Sequence, residues 1–437
     1  LSGGTQNIYN SGTAVSGVIS GGTVNVSSGG LASATRISSG GIENVSSGGI
    51  TSNTIIRDGG VENVLSGGIA SGGLISVGGN QNISQGATAV DTIISSGGTQ
   101  SVLSSGLDVS ATIGSGGNQN VLSAGIASGA TLSGGTQTIA SGGSANATII
   151  SNGGDQIING GASVTSANLL SGGTQTLLTN AAVTLTTINS GAVQSVGSTA
   201  IATYTNLSGG TQTVSGGNVL STTIYNAGVQ NVLAGGNASA TSISSGGIEN
   251  VSSGGIDTSA TVRNGGVQNI LADGIASAAT LSGGTQNILS GGLANATLIN
   301  SLGIQNISSG GLDTGAIVSV GGTQVVFTSG VASGATLSGG VQNVSSGGSA
   351  IDTVVRNQGN QIINGGAIVT NANLLSGGTQ TLLTNASVTL TTISGGATQV
   401  VGPTASATFT TVSGGIQTIS GGAALSTTIY NDGIENV

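Results

Sequence analysis

Apolar residues in this chain do not gather into long runs. They alternate with polar ones for a few positions and then give way to short words of Ser, Asn and Gly. SGGLASATRI (28–37) and SGGSANATII (141–150) show the rhythm, with Ala, Thr and Ile alternating with polar residues after a Gly pair. Period-two alternation predicts short strands with one side turned inward. The SGG and NGG words predict tight turns, because glycine accepts the positive φ that such corners need.

These strands belong to a longer period. A Gln or Glu in the phrase G-x-[QE]-[NT]-[IV] recurs at Gln6, Glu43, Glu62, Gln81, Gln100 and onward to Glu435, with Val24 in the one vacant place. There are 24 such phrases, their markers 18 or 19 residues apart, with no linker and no composition break. Two residues after every marker stands an aliphatic residue, from Ile8, Val26 and Val45 to Val437, which marks an inward position. A unit this small cannot bury its own apolar face, whereas stacked units bury one another's. The expected fold is all-β, a parallel β-solenoid of about 24 coils of 18–19 residues. At about 4.8 Å per coil its length would be on the order of 115 Å.

Residues 1–437 are expected to form one continuous array. Residues 159–188 return almost letter for letter at 364–393, an offset of 205, and SGGIENVSSGGI (39–50) returns unchanged at 245–256. A block of eleven coils has been copied. The chain starts at Leu1 without Met and stops at Val437 inside a phrase, so it is expected to be a piece of a longer protein truncated at both ends.

Composition narrows the function. Glycine supplies 84 residues, there are only six aromatics and one proline, and the apolar residues are mostly Val, Ile, Leu and Ala. Net charge is −9, Lys is absent, and the four basic residues are Arg36, Arg57, Arg263 and Arg356. No basic stripe can form to hold nucleic acid or an anionic membrane surface. No apolar run reaches the roughly 18–20 residues of a bilayer span, so no membrane insertion of this segment is expected. His, Cys and Lys are all missing, which removes the usual catalytic bases and nucleophile partners. No enzyme activity, cofactor or metal is expected. Calcium β-roll turns carry GGxGxD, whereas these turns read SGGT, SGGI and SGGL with scattered Asp58, Asp91, Asp108, Asp155 and Asp257.

Two sets of residues invite chemistry. Glu43 and Glu62 share a phase in adjacent coils, with Arg57 and Asp58 near in sequence. Stacked, they would approach the ~5 Å separation of a retaining glycosidase pair. The plainer reading is Glu standing in a Gln position, and the copied block supports it, pairing Glu249 with Gln268. The markers themselves, Gln81, Gln100 and Gln119 among them, have inward parity and are expected to stack as an amide ladder. Because four markers are Glu, that ladder is expected to be partly solvated. The neighbouring Asn7, Asn25, Asn44, Asn63, Asn82 and Asn120 have outward parity and form the candidate self-association face. Many weak identical contacts along such a face add up.

With SGGTQNI, SGGIENVSSGGI and SGGLASAT in view, the chain resembles the passenger of AIDA-type self-associating autotransporters, which carry tandem 19-residue repeats of this wording. The resemblance covers essentially all 437 residues. It implies a right-handed β-helix displayed on a bacterial surface after export across the outer membrane, with cell adhesion, autoaggregation and biofilm formation. It implies other copies of the chain and host-surface glycans or proteins as partners, and O-glycosylation on Ser and Thr. A structural fibre or stalk carrying a separate functional tip is the alternative. The low charge and missing Lys depart from a charged contact between copies and point to Asn, Thr and Ser hydrogen bonds instead.

Overall fold

The computed structural model describes residues 1–437 as short strands joined by turns, without a helix. It divides into two compact units, Leu1–Asn218 and Val219–Val437. Each unit is a parallel β-solenoid, as the repeat predicts.

Residues 23–41 show how one coil is made. Thr23–Val26 forms the marker face, Leu31–Ser33 the middle face and Arg36–Ser38 the third face. Every strand pairs in parallel with the same strand one coil on, so that Asn25 meets Asn44, Ala32 meets Thr51 and Ile37 meets Ile56. The first unit stacks twelve marker strands, from Thr5–Ile8 to Thr211–Val214. The second stacks another twelve, from Val229–Val232 to Ile434–Asn436.

The turn after the marker strand explains the Gly pair. Gly30 donates its N–H to the Ser27 carbonyl at 2.8 Å, and the two residues between, Ser28 at φ +49° and Gly29 at φ +82°, are both left-handed. That is type I′ geometry, which favours Gly at its second central position. The second glycine answers a different constraint. A Cβ on Gly49 would lie 2.2 Å from the Val26 carbonyl oxygen of the coil below. Positive φ thus accounts for one glycine of each word, and coil-to-coil contact accounts for the other. Most 18-residue coils drop one residue from the turn leading out of the third face, as between Ser133 and Thr136, and two drop it from the turn after the marker strand, between Val214 and Asn218 and between Ile419 and Ala423.

The middle and third strands are separated by one left-handed residue, for example Ala34, Asn53 or Asp91. The next residue turns back inside, as Thr35, Thr54 and Thr92 do. Inside, Val45, Val64 and Ile83 stack on the marker face, Ala32, Ala70 and Ala89 on the middle face, and Ile56, Ile75 and Ile94 on the third. Each buried Val or Ile contributes about 1.5–3 kcal/mol. The section is too narrow for a ring: Tyr9, Tyr204, Tyr430, Phe327 and Phe409 are all exposed.

Candidate functional site

The marker residues face inward and form the ladder that the sequence predicts. Gln100 Nε2 donates to Gln81 Oε1 at 2.8 Å, Gln119 to Gln100 at 2.6 Å and Gln137 to Gln119 at 2.6 Å. In the second unit the same chain of bonds runs from Gln286 to Gln268 at 2.7 Å and on to Gln417 and Gln399 at 2.7 Å. The expectation of partial solvation is overturned. Gln81, Gln100 and Gln119 are fully buried, and so are Glu43, Glu62 and Glu249.

A dry ladder tolerates carboxyls because its rungs have direction. Each amide donates toward the N-terminal neighbour, so a Glu can stand below a Gln and accept. Gln81 donates to Glu62 at 2.7 Å and Gln268 to Glu249 at 2.8 Å. Burial, and then the neighbouring Glu62 carboxyl, push Glu43 up to about 8. Burial likewise raises Glu62, and burial with the Asp257 carboxyl raises Glu249 well above the carboxylic range. At neutral pH Glu43 is therefore a neutral acid, close in shape and charge to the Gln it replaces.

This geometry disposes of the paired-carboxylate reading. Glu43 and Glu62 do stack in adjacent coils, but both lie in the closed interior, where no glycosidic bond can reach them. Arg57 and Asp58 are on the outside, half-exposed and paired with each other at 3.6 Å.

Three buried acids were not singled out by sequence reasoning. Asp108 Oδ1 and Oδ2 accept from Gln100 and Gln119 at 2.9 and 2.8 Å, and Asp313 accepts from Gln305 and Gln324 at 2.9 and 3.0 Å. Burial raises both acids to about 6, and the Gln hydrogen bonds oppose it. Asp257 accepts from one ladder amide, Gln268 at 2.9 Å, and burial pushes it up to about 7. The signal was present: G-[LI]-D-[VT] places Asp at the phase of the inward Ala of GLAS.

The two blocks solve one junction in opposite ways. In the first, Thr51 donates its hydroxyl to Glu62 at 2.7 Å. In the second, the equivalent Asp257 accepts from Gln268. Donor and acceptor have exchanged positions, and the hydrogen bond survives.

Outside, the Asn column has the orientation expected of it. Asn25, Asn44, Asn63, Asn82 and Asn120 are half-buried and Asn7 is exposed. Five of the six form a second ladder, Asn25 donating to Asn7 at 2.9 Å and Asn44, Asn63 and Asn82 each to the Asn below at 3.0 Å. Asn120 stands apart, in register with Ser101 and Thr138. The second unit builds the same ladder from Asn231 to Asn306. Each amide after the first spends one N–H on the Asn below, which ties the rungs together.

Around the corner runs an aliphatic ridge. The first residues of the middle strands, Ile50, Ile69 and Ile126, are 42%, 42% and 44% exposed. Leu65 and Leu122, across the turn from Ile69 and Ile126, are exposed too. In the second unit Ile256, Ile275, Leu293, Leu312 and Val331 fill that column without a gap.

Residues 64–117 match the AIDA family, described as an adhesin of the bacterial autotransporter system, probable stalk. Among solved structures, a TibC-catalysed hyper-glycosylated fragment of TibA is 28% identical, covering 84% of this chain and 99% of that one, with a TM-score of 0.33. A mutant of the PL6 family alginate lyase AlyGC is 8% identical over 99% of this chain and 95% of that one, with a TM-score of 0.27. No curated protein matches the chain.

Proposed function

We infer that this chain, whose coils carry the AIDA repeat, is the passenger segment of a bacterial surface adhesin that joins cells by contact between copies of itself. The observation that carries this reading is the outward surface. Over Asn7–Asn82 in the first unit and Asn231–Asn306 in the second it offers Asn rungs beside an aliphatic ridge, with almost no charge. A partner with the same coil spacing meets both columns at each step, and no like charges oppose its approach. One coil's contribution is small, but contacts in series on many molecules multiply. The Asn column and the ridge together are the proposed self-association face. Exposed Ser and Thr, abundant on all three faces, are the proposed positions of O-glycosylation, and export across the outer membrane follows from the family.

A second reading, a stalk that holds an adhesive tip elsewhere, is favoured by the family's description. Cells displaying the chain, mixed with differently labelled cells that lack it, decide between the two. Clumps made only of displaying cells are expected. Replacing Ile50, Ile69, Leu107 and Ile126 by Thr, the residue that already stands at Thr88 in that column, is expected to slow settling several-fold. Displaying cells that settle no faster than bare ones would make the segment a stalk.

A further inference from the structure

Between the middle and third faces, every coil bends through one left-handed residue. In the second unit most of these are Ser, Ala or Gly, such as Ala240, Ser259 and Gly334. Four consecutive coils differ: Asp352 (φ +57°), Asn371 (φ +56°), Leu390 (φ +60°) and Phe409 (φ +55°). They form one column, since the N–H of Asp352 donates to the Thr370 carbonyl, that of Asn371 to Thr389 and that of Leu390 to Thr408. Leu390 and Phe409 are 54% and 55% exposed. A bulky side chain at positive φ costs about 1–2 kcal/mol, and no burial repays it here. The left-handed corner is common to every coil, so what sets this stretch of the second unit apart is the exposed Leu390 and Phe409 following Asp352 and Asn371.

Beside this column lies a groove of about 480 Å³, lined by Asp352, Val354, Asn371, Asn373 and Thr392. The groove is shallow and open to solvent, so a ligand would lie along it rather than be enclosed. Asn371 Nδ2 donates to Asp352 Oδ1, which orients the amide and leaves its carbonyl and second N–H, with the other carboxylate oxygen, free for a ligand. Val354, Asn373 and Thr392 are successive outward residues of the third face, in register across three coils. The groove therefore offers acceptors and donors at close spacing. One and two coils further along the same column come Leu390 and the Phe409 ring.

We propose that this column and groove bind an uncharged oligosaccharide laid along the coil axis, its hydroxyls on Asp352, Asn371, Asn373 and Thr392 and one sugar face on Phe409. Mixed donors and acceptors beside an exposed ring suit a polyol with apolar ring faces. The Asp352 carboxylate, in a chain of net charge −9, disfavours acidic sugars. The nearby cation is Arg356, exposed two residues beyond Val354. The first unit supplies a natural comparison. Its Leu185 and Tyr204 repeat the apolar half at φ +59° and +54°, but Ala147 and Ser166 stand where Asp352 and Asn371 do. The site thus belongs to the second unit, and it does not depend on self-association.

The test uses the full chain against immobilised neutral di- to tetrasaccharides of glucose, galactose and N-acetylglucosamine, with sialylated counterparts alongside. Binding to at least one neutral glycan is expected. D352A/N371S, which installs the residues the first unit carries at that corner, is expected to weaken it at least tenfold. Phe409→Ser, a residue the same column accepts at Ser426, is expected to do the same, whereas Phe409→Tyr retains binding and Tyr204→Ser leaves it unchanged. Settling of displaying cells stays as in the parent with all four variants. Binding to no neutral glycan, binding only to sialylated ones, or equal binding by D352A/N371S or Phe409→Ser would overturn the proposal.

Discussion

A glutamine pointing inward from nearly every coil is an unlikely core residue until its bonds are followed. Its amide is satisfied by the same residue above and below, so burial leaves no donor or acceptor wanting. Where Glu62 and Glu249 replace it, the Gln one coil on donates to the carboxyl. Thr51→Asp alone would set a third carboxyl beside Glu43 and Glu62 and is expected to destabilise by about 2–4 kcal/mol. Thr51→Asp with Glu62→Gln recreates the 249–257–268 arrangement and is expected to recover most of that loss, a coupling that a double-mutant cycle in chemical denaturation measures. The acids also set a pH dependence. Glu43 titrates near 8 in the folded chain and near 4.3 unfolded. The native state thus holds a proton that the unfolded chain has released, and the proton's contribution is complete below pH 4 and lost as pH rises through 8. Asp257 at about 7 acts in the same direction. Thermal unfolding followed by circular dichroism is expected to show a lower midpoint at pH 9 than at pH 5. Glu43→Gln is expected to match the parent at pH 5 and exceed it at pH 9 by roughly 3–10 °C.

At the scale of the element, the coil is fixed by its turns more than by its strands, which are only two to four residues long. The two glycines of a turn are predicted to respond differently to substitution. Gly48, at φ +78° with its nearest neighbour 3.5 Å from a built Cβ, has room for a side chain and needs only a residue that tolerates the left-handed region. Gly48→Asn is expected to cost about 1 kcal/mol or less. Gly49→Ala would drive a methyl into the Val26 carbonyl, and the coil must open; a loss of roughly 1–3 kcal/mol or more is expected. Hydrogen exchange localises the difference: in Gly49→Ala the amides of Ile50 and Val45 lose protection, and in Gly48→Asn they do not.

At the scale of the whole molecule, pairing joins each coil only to the one before and the one after it. Stability is then close to a sum of coil and neighbour terms, and length can change by whole coils without redesign. Removing residues 80–98, one complete 19-residue period, brings Gly79 to Thr99 in phase and leaves Gln100 above Glu62 as its acceptor. That deletion is expected to keep the strand signal and shift the unfolding midpoint by only a few degrees. Removing residues 80–88 alone, which destroys the phase, is expected to unfold the coils on both sides. Under the proposed self-association, the same repetition would let a weak outward contact add up over many coils.

Much of this was legible in the letters. The 18–19-residue period, the period-two alternation and the glycine words determined a parallel β-solenoid, because only stacking buries a face that small. Parity determined that Val45 and Gln81 point in and Asn44 and Asn82 point out. Depth was beyond it: parity gives a direction and not a distance to water, and the four Glu markers suggested a wet ladder that is in fact dry. Contacts between faces were beyond it as well. Asp108 meets Gln100 and Gln119 because three strands close a triangular section, and Thr51 meets Glu62 across two coils. The corner groove needs residues from Asp352 to Thr392 brought side by side, a juxtaposition that exists only once the coils are stacked.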